Sequence, residues 1–328
     1  MNGPVQWSMW ESWRPPTGSS GWQVRELLRV VLGLHSTFKR EIWLWRGQSR
    51  AEYTLEPGMH SRVRRTSALQ MKEEYAVLAS RHLIEAARRN RLDRVEGLEL
   101  PDLALLAHLQ HHGAATPLLD VTVDPLVGLW MVAHASGHDP QSDDDSDGAL
   151  FGIRRPRESR WLAPLDSRSY WSSDFETSDI ASILMDDVYW YRAPDISERL
   201  RIQRGSFLLG PLVSDEQVTV PLNWRSDPAS GWLQTRLDGL GRQGRPNSAK
   251  TDVVVFRIPS GLKGLIRAWL EERAGLSQQV IYPTPWHRPF LEDFCRSYSR
   301  SRPIDLRPGF ETDLIQRLQE GPDPRSST

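Results

Sequence analysis

The sequence predicts an α+β fold, from three observations. Segments of helical period and segments of strand period follow one another irregularly, without the regular βαβ repeat of a doubly wound sheet. The 328 residues suffice to bury one sizeable core or two smaller ones. The single cysteine, Cys295, excludes an internal disulfide, so packing alone must hold the fold and no oxidising compartment is needed.

Residues 1–21 form a Trp-rich N-terminal segment, in which Trp7, Trp10 and Trp13 are expected to cap a surface groove before the PPTGSSG linker. From Trp22 to Leu34, apolar residues at helical spacing (Val24, Leu27, Leu28, Val31, Leu32) predict a helix. Ile42 to Trp45 reads as a short buried strand ending at Arg46, and Glu56-Pro57-Gly58 as a turn. A long helix is expected over Ser67–Arg91; its basic end, AARRNR, suits the negative pole of the helix dipole. Leu103–His112 is a second helix stopped by Gly113, and Pro125–Ala135 a third, entered from the extended run Thr116–Thr122.

The acidic run around Asp143, Asp144, Asp145 and Asp147 lacks the alternating ligands, central Gly and distal Glu of a calcium loop, and is expected to be mobile. Ala149–Ile153 and Val253–Ile258 are strands, Leu200–Leu209 a strand interrupted by glycine, and QQVIYP a further short strand. Leu262–Arg273 is a helix, and the residues after Gly309 a last helix with a disordered tail. Within 224–250, GLGRQGRPNSAK does not have phosphate-loop spacing and reads as a connector.

A net charge of -1, with 39% apolar and 25% charged residues, describes an ordinary soluble protein and selects no partner by global electrostatics. The N-terminus shows no basic segment followed by an apolar run, and no stretch reaches the ~18 apolar residues a membrane span needs. A cytoplasmic protein without membrane partners is expected.

Four places carry more polar specificity than packing demands. In Trp45-Arg46-Gly47-Gln48, an arginine at a strand end presents a planar fork to phosphate or carboxylate, with Gly47 clearing the approach; a structural ion pair is the alternative. His108, His111 and His112 share a helix face, either as metal ligands or as supports for a nearby loop. Asp120 and Thr122 point to one side of an extended run, as a pocket wall or as caps of the next helix. Arg201, Gln203 and Gly205 share a face if their segment is a strand, where the Gln203 amide either meets a sugar hydroxyl or faces water.

Taken in order, these places resemble the FRG domain family, named for its aromatic-Arg-Gly motif. After that motif come Pro57 and Arg62, then QHHGAATPLLDVTVDPLVGLWMVA, then RIQRGSF. Gln110, His111, Gly113, Thr116, Leu118, Leu119, Asp120, Thr122, Pro125 and Leu129 match the family's second block, close to QHxGxPTRLLDWTxxPxxALxFA. Ala115, Pro117, Val121 and Gly128 depart from it, Pro117 standing where the family has an arginine. The resemblance spans roughly 22–290 and implies one FRG domain over 22–295, followed by a C-terminal helix and tail over 296–328.

A second resemblance is to mono-ADP-ribosyltransferases of the Arg–Ser–Glu type, which implies a split mixed sheet with flanking helices. It also implies an enzyme that binds NAD and transfers ADP-ribose to a protein or nucleic-acid acceptor. The expected setting is that of a toxin or phage-defence effector with an antitoxin or immunity partner. In this reading Arg46 grips phosphate, with Gly47, Gln48, His111, Thr116 and Arg201 around the cofactor. His111 orients the Thr116–Asp120 loop, and Asp120 and Thr122 shape the nicotinamide side. Gln203 stands where such transferases carry glutamate, which leaves three outcomes: Asp120 or Glu198 supplies the carboxylate that stabilises a cationic transition state, the chemistry is altered, or the fold only binds; on a strand, Glu198 would project opposite Gln203. The alternatives are a non-catalytic nucleotide- or protein-binding module, and a metal-dependent nuclease built on His108, His111, His112 and Asp120.

Overall fold

A computed structural model describes residues 10–37, 42–53, 55–66, 73–135, 141–155, 162–166, 188–194, 197–210, 253–283 and 289–304. Their centre is one mixed eight-stranded sheet. In chain order its strands are β1 (Trp10–Trp13), β2 (Ile42–Gln48), β5 (Leu119–Thr122), β6 (Gly148–Arg155), β7 (Leu162–Asp166), β8 (Val188–Arg192), β9 (Gly205–Leu209) and β10 (Val253–Ile258). A small hairpin, β3 (Arg94–Val95) with β4 (Leu98–Glu99), stands apart. The spatial order is β1-β10-β6-β2-β5-β9-β8-β7. Pairing is parallel at the two edges, β1 with β10 and β7 with β8, and antiparallel between. This is the mixed α+β arrangement expected.

The sheet is continuous, yet its centre is narrow. Strands β6 and β2 share seven register pairs, from Ile42–Arg155 to Gln48–Ala149. Among the described residues β2 and β5 share one, Trp45–Thr122. Beyond that pair the two strands part, which opens a crevice in the middle of the molecule.

Helices close both halves. Helix α1 (Ser20–Thr37), α5 (Pro125–Ala133) and α7 (Lys263–Ala274) bury Trp43, Trp45, Phe256 and Leu150 against the first half. Helices α2 (Gly58–Arg65), α3 (Glu73–Arg89), α4 (Asp102–His111) and α9 (Pro289–Ser297) form a second core, with Tyr191 and Phe207 of the other half. Two short helices, α6 (Glu198–Ile202) and α8 (Gln278–Ile281), lie near the crevice. None of the described helices is long and apolar enough to cross a membrane.

Several expectations are corrected. β2 runs on through Arg46 to Gln48, because Arg46, Gly47 and Gln48 keep pairing with Phe151, Leu150 and Ala149. Residues 10–13 are an edge strand, and Trp13 packs edge-on against Phe256 at 5.7 Å; Trp7 lies outside the described residues. QQVI is a helix capped by Ser277, whose hydroxyl accepts from the Val280 N–H. The segments 224–250 and beyond Gly309 lie outside the described residues.

The acidic run is anchored where it is described. Arg267 forks onto both oxygens of Asp144, and Asp147 accepts from Arg257 Nε at 3.1 Å and Ser260 N at 3.0 Å. Ser49 Oγ donates to Asp143 at 2.5 Å, and buried Lys263 donates to the carbonyls of Ser49 and Asp143. Fixed cations thus offset the repulsion that makes such runs mobile elsewhere.

Packing also continues beyond residue 295. Tyr298 and Ile304 are buried in the second core. Fully buried Arg62 spends its donors on the carbonyls of Arg302 and Pro303 and lies over the Tyr298 ring at 5.1 Å. That clamp carries Arg300 and Ser301 to the crevice.

Candidate functional site

The crevice is a cavity of about 490 Å³, within the range of small-ligand sites. Both halves of the sheet contribute: Arg46 and Gln48 from β2, Asp120 and Thr122 from β5, Ser206 and Phe207 from β9.

Arg46 spans the gap where β2 and β5 part. Its Nη1 donates to the Asp120 carbonyl at 2.9 Å and stands 3.5 Å from Asp120 Oδ2. The side chain is 16% exposed, whereas that of Asp120 is 54% exposed. Arg46 Nε is buried without a hydrogen-bond partner. Burial pushes the pKa of this guanidinium down, Asp120 pulls it back up, and Arg300 lowers it further. It stays a cation nonetheless, with one face engaged by Asp120 and a donor left over.

Asp120 is held by a relay. Thr116 Oγ1 donates to Gln110 Oε1, and Gln110 Nε2 donates to Asp120 Oδ1 at 2.6 Å. Thr116 is thus a buried support reached through Gln110, and lines a smaller adjoining cavity of about 180 Å³ in place of the main one. Gln110, not His111, orients the Thr116–Asp120 loop. Neither Asp120 nor Thr122 caps the following helix: Asp124 does, accepting from Leu126 N at 2.9 Å with Pro125 behind it. Thr122 is committed to the backbone, donating to Gln203 O at 2.7 Å and accepting from Asp124 N at 3.0 Å.

Gly47 has a packing task beyond the one expected. A Cβ there would stand 2.1 Å from Gly128 O and 2.8 Å from Val132 N, so the glycine lets α5 lie directly on β2. Gly47 also lines the cavity, between Arg46 and Gln48.

The expected strand over Leu200–Gln203 is helix α6, capped by Ser197 Oγ, which accepts from Leu200 N at 3.1 Å. It ends through Arg204 at φ +46° before β9 begins at Gly205. The change of period re-aims three candidates. Glu198 and Arg201 lie on the outer side, 63% and 65% exposed and 3.7 Å apart, and do not line the cavity. Gln203 does line it, but its Nε2 donates to Ile281 O at 3.1 Å.

Arg199 enters instead. Its Cζ sits 4.0 Å from the Tyr282 ring centroid, Tyr282 is 5.3 Å from Trp130, and Trp130 stacks on His134 at 3.9 Å. These residues line the cavity, and Arg199 stands outside the motifs that the sequence singles out. His111 also lines it. Burial, then the charge of Arg199, then His112 and His108, push its pKa down to about 3, so its ring is neutral at physiological pH. His108 and His112 meet edge-on at 4.9 Å. Among the described residues no group of three His, Cys, Asp or Glu stands close enough to hold a metal ion; nothing in the geometry favours the nuclease alternative.

Four arginines, Arg46, Arg65, Arg199 and Arg300, therefore face one carboxylate, Asp120, around a cavity with an aromatic wall. Such a site suits a phosphorylated ligand. The FRG domain model matches residues 41–141. The match includes the Arg46–Asp120 pair and the Gln110 relay, while Arg199, Gln203 and Tyr282 lie beyond it. No curated protein and no solved structure matches the chain.

Proposed function

We propose that the central cavity binds NAD and that the protein transfers its ADP-ribose to a macromolecular acceptor. The observation carrying this reading is the Arg46–Asp120 pair: a buried cation with a spare donor, set against the carboxylate that, among the described residues, lines an arginine-rich cavity. Arg46, with Arg300 close enough to perturb it, would hold the pyrophosphate. Asp120, oriented by Gln110, is the group placed to stabilise positive charge developing on a ribose. NAD supplies a glycosidic bond whose nicotinamide leaves as a neutral molecule. The likeness to Arg–Ser–Glu transferases supports the assignment of roles, with Asp120 replacing the glutamate that Gln203 lacks. A toxin or defence effector would use such chemistry against a protein or nucleic acid.

A second reading, a non-catalytic nucleotide-binding module, is favoured by one observation: the Gln203 amide is spent on the Ile281 carbonyl. The readings separate by chromatography of NAD incubated with the protein. Transfer predicts nicotinamide release that Arg46→Ala abolishes. Saturable ADP-ribose binding with no release, in the presence of protein and nucleic-acid acceptors, leaves the module.

A further inference from the structure

Arg62 is buried and Arg199 half-buried, and the two differ in what they face. Arg62 is a structural arginine: two backbone carbonyls take its donors and it touches no ligand cavity. Arg199 lines the main cavity and has no carboxylate within ion-pair distance among the described residues. Its one described hydrogen bond is long, Nη1 to His111 O at 3.5 Å, and its Nε is buried with no partner. The fold holds this cation over the Tyr282 ring, its Cζ 4.0 Å from the ring centroid, where the ring face attracts positive charge. Stacking on a ring leaves the in-plane N–H donors free to point elsewhere. Close by, Trp130 packs against Tyr282 and also has a buried indole N–H without a partner.

The unpartnered donors fall into two places. Arg46 has Arg300 as its neighbouring cation, and Arg199 neighbours His111. We infer that Arg199, held by Tyr282, forms a second anion subsite of the cavity, so that the ligand carries two phosphates shared between Arg46 and Arg199. The ligand class is then a nucleoside diphosphate derivative, and a mononucleotide fills only one subsite. This inference rests on the nucleotide reading above but not on cleavage. Tyr282 is a positioning residue, acting through Arg199.

Calorimetric titration of the full chain with ADP-ribose and with AMP tests it. The wild type is expected to bind ADP-ribose at least about tenfold tighter than AMP, the effect of one added charge-assisted contact. Arg199→Ala should erase that margin, and Arg199→Lys should restore only part of it, since an ammonium offers neither the stacked plane nor the fixed Nε donor. Tyr282→Phe should keep the margin and Tyr282→Leu should lose most of it. A margin unchanged in Arg199→Ala, or equal affinity of the wild type for the two ligands, overturns the inference. If Arg199→Ala does not fold, the lysine variant decides: an undiminished margin there also overturns it. Tight ADP-ribose binding without nicotinamide release would leave this subsite standing while removing the transfer reaction.

Discussion

Arg46 and Asp120 meet across the one place where the central sheet is joined by a single register pair, Nη1 standing 2.9 Å from the Asp120 carbonyl and 3.5 Å from its carboxylate. The contact ties the two halves of the sheet and builds the cavity at once. A core of Leu44, Phe151, Leu119 and Leu208 also spans the two halves, and the pair sits at the seam.

Breaking the relay behind Asp120 should weaken catalysis without emptying the cavity. Gln110→Ala frees the carboxylate, and nicotinamide release is expected to fall roughly tenfold to a hundredfold, mainly in kcat, as for a misplaced reacting group. Thr116→Val removes only the outer link and should cost less. Steady-state kinetics on both variants check the order.

Gly47→Ala should be among the most damaging small substitutions in the chain. The new methyl would meet backbone, Gly128 O at 2.1 Å, so helix and sheet must separate; a loss of about 3 kcal/mol or more is expected. Gly128→Ala meets only Leu150 Cδ1 at 2.8 Å and Trp45 Cβ at 3.2 Å and should cost less. Urea denaturation of both variants measures the difference.

Gln203→Glu should not create a better transferase. The amide donates to Ile281 O at 3.1 Å from a buried position, and a carboxylate cannot donate. Destabilisation of about 1–3 kcal/mol at pH 7 is expected, from an acceptor facing a carbonyl. The loss should shrink at low pH, where a protonated glutamate donates again. Thermal melts across pH show whether it does.

His111 should leave a mark on acid stability. Its pKa is about 3 in the fold against an ordinary 6.5, so between these values the unfolded chain binds a proton that the folded one refuses. Stability therefore rises with pH through this window and is fully present above about 6.5. One such group gives a slope approaching about 1.4 kcal/mol per pH unit in mid-window. Unfolding measured from pH 4 to 7 should show this component, and His111→Gln should remove it.

What the sequence made legible follows from how each signal is carried. WLWRGQ announced a strand with a misplaced charge, and TPLLDVT an extended wall before an apolar helix; both signals are local in the chain, and both segments border the cavity. The role of Gly47 was hidden, because a glycine needed for helix contact and one needed for ligand approach look alike until Gly128 is known to lie opposite. Glu198 and Arg201 were misplaced by period: a five-residue helix followed by a left-handed Arg204 imitates an interrupted strand. Arg199, Tyr282 and Arg300 converge on the cavity from three separate segments, far in sequence from Arg46 and Asp120, which no local pattern encodes. The acidic run hid its anchors in the same way, since Arg267 and Lys263 lie over a hundred residues downstream.

The central claim, that Asp120 is the carboxylate acting on a phosphate-held NAD beside Arg46, is tested most directly by Asp120→Asn. The substitution keeps shape and removes charge. Nicotinamide release from NAD and ADP-ribose affinity are measured on the same folded samples. The account predicts release falling at least about a hundredfold, with ADP-ribose affinity within a few-fold of wild type. Release unchanged in Asp120→Asn, or absent from the wild type while ADP-ribose binds, would contradict it.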